Sequence, residues 1–281
     1  MSQPKRSFFA RRDGTRVAGS HDLNALFPYV MKRRCDSIVY FSEMIDVENL
    51  LAYIEKKKDG GEKVTFFQLF IVAIVKLMRE RPHLNRFIRG RRLYQRNSLD
   101  VNFIAKRAFT DDAGETNVTI RVKPEDKFED ILQKLSGDIR AAKEGVETGD
   151  DEAVSVLMRL PRFVLMLVIR LCEFMDFFKG VPLILEKIDP LRCSAFVANL
   201  GSVGIEAPYH HLYEWGTASI FIAIGKIKKM PVVNDEGEIV ARTMVEIKVA
   251  LDERIADGFY CARSLDLFNK YLNDPACLES I

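Results

Sequence analysis

The run Val154–Phe178 limits the choice of fold more than any other segment. It is strongly apolar, yet its longest uncharged stretch is Phe163–Ile169, far short of the ~20 apolar residues a membrane-spanning helix needs. At about 100° per residue, Arg159, Arg162, Arg170, Glu173 and Asp176 fall within one third of a helix circumference. Leu160, Phe163, Val164, Leu165, Val168, Leu171 and Phe174 take the other two thirds, with Met166 and Ile169 set among the charges. A helix so lopsided is expected to lie on something apolar. Three partners satisfy the pattern: the protein's own core or a neighbouring subunit, an acyl chain, or a membrane surface. Pro161 marks a first turn or a kink.

Around this run, helical and strand periodicities mix. Residues 1–20 read as an irregular, basic N-terminal arm, with Lys5, Arg6, Arg11, Arg12 and Arg16 and with Gly14 and Gly19 as breakers. Asp22 precedes a helical pattern at Leu23, Leu26, Phe27, Val30 and Met31. Further helices are expected over Val47–Lys58, over Phe66–Arg81 between a Thr65 cap and a Pro82 stop, over Lys127–Glu144, and over Phe259–Leu272. Strands are expected at Ser37–Ile45, Arg92–Tyr94, Asp100–Ala105, Glu115–Val122, Ala195–Leu200, Ala218–Lys229 and Val245–Leu251. Asn234-Asp235-Glu236-Gly237 supplies a hairpin turn between the last two. No strict strand–helix alternation appears, so the class is α+β with a large mixed sheet flanked by helices. The expected organisation is an arm (1–20) and one domain (21–281), with a polar linker at Gly145–Glu152 opening an apolar helical insertion at about 151–191.

Composition removes several function classes. Forty-two Lys plus Arg against 40 Asp plus Glu leave a net charge of +2 in 281 residues, without the basic surplus of a nucleic-acid binder. Cys35, Cys172, Cys193, Cys261 and Cys277 show no metal-ligand spacing, and His21, His83, His210 and His211 form no metal motif. Reduced thiols and a cytoplasmic location are the expectation. Met1–Arg12 has no apolar core of a signal peptide, and no transmembrane segment is expected.

Two segments carry chemistry. Leu251-Asp252-Glu253-Arg254-Ile255-Ala256-Asp257-Gly258 lies between a strand and a helix, and Ala198-Asn199-Leu200-Gly201-Ser202-Val203-Gly204 lies upstream. The first resembles the Asp-His-Arg-x-x-Asp-Gly signature of dihydrolipoyl acyltransferase catalytic domains, kin to chloramphenicol acetyltransferase. The second is similar to their Ser-Asn-Leu-Gly segment. Val64–Asn85 resembles their long helix ending in Pro-x-Leu-Asn, and Lys127–Gly145 the helix after their substrate strand. The resemblance covers most of residues 20–275. It implies the acyltransferase fold, a homo-oligomer in the form of a trimer with a channel between subunits, and acyl-CoA as cosubstrate with no covalently bound cofactor. It further implies an arginine partner for Asp257, for which Arg16 and Arg254 are candidates, and a Gly258 placed where a side chain would crowd the turn.

Glu253 stands where the family has its histidine base. A thiol of pKa ~8.5 lies ~2 units above histidine and ~4 above glutamate, a mismatch of ~2.7 against ~5.7 kcal/mol. Glu253 therefore reads either as a base raised by burial or as an ion-pair partner of Arg254. The family's oxyanion hydroxyl is also missing: the matching stretch is Ile205-Glu206-Ala207, and Ser202 and Tyr209 are the nearest hydroxyls. His210-His211 follow in the same loop, as a structural pair, as a relocated base or as metal ligands. In an extended segment the two would face opposite sides. The candidate residues are thus His210, His211 and Glu253 for catalysis; Arg16, Arg254, Asp257 and Gly258 for support; and Asn199, Ser202 and Tyr209 for substrate. Two functions stay open. One is transfer of an acyl group from a CoA-type thioester to a small-molecule thiol, hydroxyl or amine. The other is a noncatalytic ligand-binding or assembly protein on the same fold.

Overall fold

Thr65 opens the helix around which the rest is arranged. In the computed structural model, which describes residues 10–17, 25–106, 115–144 and 155–281, its hydroxyl accepts from the Gln68 amide. The Gln68 side chain returns to the Thr65 N–H, so two otherwise free amides are satisfied. The helix α3 (Phe66–Glu80) is buried continuously from Gln68 to Lys76 and ends before Pro82. Against one face of a mixed sheet it packs with α2 (Glu48–Asp59), α4 (Phe128–Lys143) and α7 (Gly258–Asn273).

That sheet holds β2 (Ile38–Asp46), β5 (Leu99–Lys106), β6 (Glu115–Val122), β7 (Ala195–Asn199), β8 (Ile220–Val233) and β9 (Ile239–Asp252), in the order β2-β9-β8-β7-β5-β6. β7 runs parallel to both β5 and β8, and the other pairs are antiparallel. The face toward the helices carries the main core, including Val101, Phe103, Ile222, Ile247, Val249 and Leu251 against Phe70, Ile74 and Phe268. The opposite face has a smaller cluster, Phe196, Phe221, Ala223 and Ala250, covered by Ala207 and Leu212 of the loop that joins β7 to β8. The fold is the expected α+β arrangement around one large mixed sheet.

Several local expectations change. The N-terminal arm contributes β1 (Gly14–Arg16) to a second, three-stranded sheet with β3 (Arg86–Arg89) and β4 (Arg92–Arg96). Cross-strand pairing with β4 gives these three residues a structure that their sequence, bracketed by glycines, does not advertise. Of the helix expected from Leu23, the described residues show α1 (Phe27–Val30); Gly19, Asp22 and Leu23 lie outside the described residues, as does the linker 145–152. β8 and β9 extend well past their apolar halves, to Val233 and back from Ile239, because alternation continues into a hairpin closed at Gly237 (φ 82°).

The insertion differs most. The helix α5 (Arg162–Phe178), followed by α6 (Leu183–Ile188), buries Cys172 and Asp176 and exposes Phe163, Leu167, Leu171, Phe174 and Phe178. Asp176, one of the charged third of the helix, is a buried charge centre. It accepts from Arg11 Nη2 at 2.8 Å, Arg89 Nε at 2.7 Å and Arg192 Nη2 at 2.9 Å. Burial alone would raise its carboxyl, but Arg89, Arg192 and Arg11 hold it well below the usual carboxylate range. Three guanidiniums therefore draw this side of the helix inward, and part of its apolar arc is left facing out.

Candidate active site

The turn after β9 is built by a two-residue ion pair. Asp252 is fully buried, and its backbone N–H donates to Ser219 O. Arg254 clasps its carboxylate with both Nε and Nη2 at 2.7 Å, and a third guanidinium nitrogen donates to Met31 O. Such a fork is rigid. Arg254 is thus committed to Asp252, not to Glu253 or Asp257, because the Asp252 carboxylate is the one buried with it. Glu253 is pinned through its backbone, which donates to Ser37 O at 2.9 Å, while its side chain is exposed. Asp257 caps α7 by accepting from Tyr260 N at 2.8 Å. Arg16 lies in β1, within the other sheet. A Cβ on Gly258 would meet nothing within 4 Å, so the expected crowding there is absent.

Arg34, which the sequence did not single out, joins this turn to the His210 loop. It is 97% buried by its 3% exposure, and its Nε stands 4.0 Å from Asp252 Oδ2. Its other nitrogens donate to the carbonyls of Tyr213, Trp215 and Gly216. Burial, and then Arg89, push the guanidinium down to about 10. Its only sequence signal was a basic pair, Arg33-Arg34, ahead of a strand.

The loop lies over the smaller apolar cluster. His210 stacks on Phe221 at 3.8 Å with 6° between planes, and Phe221 stacks on Phe196 at 5.1 Å. His211 stacks on the outer side of His210 at 4.7 Å and 15°. The two imidazoles therefore share one column instead of facing opposite sides, since aromatic stacking replaces the alternation of an extended segment. His210 Nδ1 lies 2.7 Å from His211 O. A carbonyl oxygen only accepts, so Nδ1 carries the proton and Nε2 keeps its lone pair. Burial lowers the His210 pKa below its ordinary 6.5, against the opposing hydrogen bond to His211. Tyr209 sits edge-on to Tyr40 at 5.6 Å, with Lys248 Nζ 4.5 Å from its ring.

Phe221 is paired with Ala250, three residues before Glu253. The strand rise puts the two backbone positions about 10 Å apart. His210 and Glu253 both lie outside the strands, and among the described residues no hydrogen bond or ion pair joins them.

The upstream segment is a 3-10 turn, Leu200–Val203. A Cβ on Gly201 would stand 2.3 Å from Gly225 O, so this glycine lets the turn seat directly on β8. Ser202 Oγ donates to Asn199 O at 2.7 Å. Glu206, placed by sequence beside the oxyanion, is exposed and bonds Lys228 and Lys226 instead. Among the described residues no group of three His, Cys, Asp or Glu could hold a metal ion, and no helix is long and apolar enough to cross a membrane.

Comparison with known proteins follows the same lines. Residues 192–279 match the family model for the 2-oxoacid dehydrogenases acyltransferase catalytic domain. The lipoamide acyltransferase component of the branched-chain alpha-keto acid dehydrogenase complex of Bacillus subtilis (strain 168) is 25% identical over 226 residues. The match takes in 79% of this chain and 43% of that relative, so the chain corresponds to under half of its length. The cubic core of the pyruvate dehydrogenase multienzyme complex superposes with TM-score 0.60 at 16% identity, covering 99% of both chains. A chloramphenicol acetyltransferase superposes with TM-score 0.50 at 12% identity, covering 93% of this chain and 98% of the other. Residues 192–279 thus carry the signature of the 2-oxoacid dehydrogenase acyltransferase catalytic domain, on a chain whose whole fold is the one shared by those domains and chloramphenicol acetyltransferase.

Proposed function

We propose that this protein is an acyltransferase moving an acyl group from a CoA-type thioester to a thiol, hydroxyl or amine, with His210 as general base. The hydrogen bond from His210 Nδ1 to His211 O carries the reading, because it fixes the tautomer, and in the neutral imidazole that burial favours, Nε2 is free to accept. Nε2 takes the proton of the acceptor, whose heteroatom attacks the thioester carbonyl. The tetrahedral intermediate collapses with cleavage of the C–S bond, and the imidazolium returns its proton to the leaving thiolate. An unperturbed histidine would narrow the proton-transfer mismatch that Glu253 would face by about 3 kcal/mol, and the lowered His210 narrows it by less. Glu253 is read as a carboxylate at the mouth of the site. Asn199, Ser202 and Tyr209 are read as substrate contacts, Ser202 through an oxygen whose proton is already donated. The likeness to a cubic core supports assembly from trimers.

One observation favours the noncatalytic alternative: the Ser202 hydroxyl is spent on Asn199 O, leaving the family's oxyanion donor unreplaced. Turnover of acetyl-, butyryl- and long-chain acyl-CoA, followed by thiol release, separates the two. Catalysis through His210 predicts that His210→Gln lowers kcat at least 100-fold with acyl-CoA binding retained. Because the base must be unprotonated, wild-type kcat/KM falls on acidification through a pKa below the ordinary 6.5. A fall near the ordinary carboxylate value would assign the base to Glu253. Saturable binding without turnover, unaffected by joint replacement of His210, His211 and Glu253, would establish the noncatalytic function.

A further inference from the structure

We propose that the outward face of α5 docks the protein on a membrane surface of anionic phospholipid. At about 100° per residue, Phe163, Phe174, Leu167, Phe178 and Leu171 fill one arc of roughly 80°, and all five are exposed. Phe163 is 74% and Leu167 67% exposed, far beyond what a scattered surface side chain needs a partner to explain. After Gly180, α6 adds exposed Leu183 and Ile184. The helix cannot relieve this by rolling inward, because Asp176 on its other side is held by Arg11, Arg89 and Arg192.

Charge selects the occupant. Exposed Arg159, Arg162, Arg170, Lys179 and Lys187 border the apolar arc and its two ends, against Glu173 as the exposed acid on α5. Beside Phe177 and Glu173 opens a cavity of about 270 Å³, lined also by Lys32, Arg34, Arg89, Arg91 and Arg254 with Glu214. A second copy meeting this face about a twofold axis would bring its bordering cations against their like. A bilayer surface takes the same pattern favourably: the phenyl and leucyl side chains enter the headgroup–acyl boundary while the cations meet lipid phosphates. α5 is short of a membrane span, so it lies in the interface plane.

Co-sedimentation of the full chain with phosphatidylcholine vesicles, with and without the anionic lipid phosphatidylglycerol, tests this. Binding at least tenfold tighter with phosphatidylglycerol is expected, weakened tenfold or more by Phe163→Ser with Phe174→Ser. Arg162→Glu with Arg170→Glu should erase the lipid preference. These side chains are exposed, so circular dichroism and melting temperature should match wild type; Leu167→Gln with Ile184→Gln gives an independent pair. Absence of binding to both vesicles would overturn the proposal, as would binding that both apolar pairs leave unchanged. A larger assembly dissolved by the phenylalanine pair, without vesicle binding, would overturn it in favour of self-association.

Discussion

Replacing Asp176 by Asn removes one negative charge from a site holding three guanidiniums. Asp176 is 1% exposed, Arg11 4% and Arg192 6%. Taking one partner from a buried ion pair costs about 3–5 kcal/mol, chiefly through the charges left behind. Here Arg11 keeps Asp13 at 2.6 Å and Arg192 keeps Asp189 at 3.1 Å, so the main loser is Arg89. That argues for the low end, about 3 kcal/mol, and for a melting temperature lower by about 6–12 °C at pH 7. The pH dependence fixes the cause. The folded carboxyl lies well below the ordinary range, so its contribution is complete above the unfolded value of ~3.9 and is lost as pH falls from there toward the folded value. Melting of wild type and Asp176→Asn, followed by circular dichroism, should therefore give a constant difference from about pH 7 to 5 that narrows on further acidification. A difference below about 1 kcal/mol, or one that widens toward acid, would refute the assignment of Asp176 as an ionised, net stabilising centre.

Two glycines and one arginine give further checks. Gly201→Ala drives a Cβ into the Gly225 carbonyl and should cost about 1–3 kcal/mol in urea unfolding. Gly137→Ala, where nothing lies within 4 Å on α4, should stabilise by about 0.5–1 kcal/mol; equal effects at both would contradict the close seating of the 3-10 turn. Arg34→Met leaves the Tyr213, Trp215 and Gly216 carbonyls without their buried donor. It should cost about 3 kcal/mol and shift the emission of Trp215 to the red. Since the chain has a single Trp, unchanged emission would show that Arg34 does not hold this loop.

What the sequence revealed followed from short-range signals. Thr65 and Pro82 bound α3 because caps and stops act within a turn, and Asn234 to Gly237 close the hairpin for the same reason. The 252–258 turn was legible as a pattern of adjacent residues, but its wiring was not. Arg254 had three carboxylates within three positions, and only the burial of Asp252 decides among them. Arg34 reaches carbonyls about 180 positions away, and Arg11 reaches Asp176 across 165. Periodicity tells which residues share a helix face, not which face turns inward. On α5 three distant arginines bury part of the charged edge.

The same wiring connects the insertion to the candidate base. Asp176 holds Arg89, whose Nη1 donates to Glu214 O at 3.4 Å. It also holds Arg192, which holds Asp189, whose carboxylate accepts from Trp215 Nε1 at 2.6 Å. Arg34 grips the neighbouring carbonyls from the side of the 252–258 turn. The segment 213–216 is therefore fastened from α5 by two routes and from the motif turn by one. His210 and His211 precede it by two or three residues and rest on Phe221, so the position of Nε2 depends on all three fastenings. A helix drawn down by Asp176 thus does two things at once: it turns phenylalanines outward, and it fixes the far end of the loop whose imidazole would take the proton.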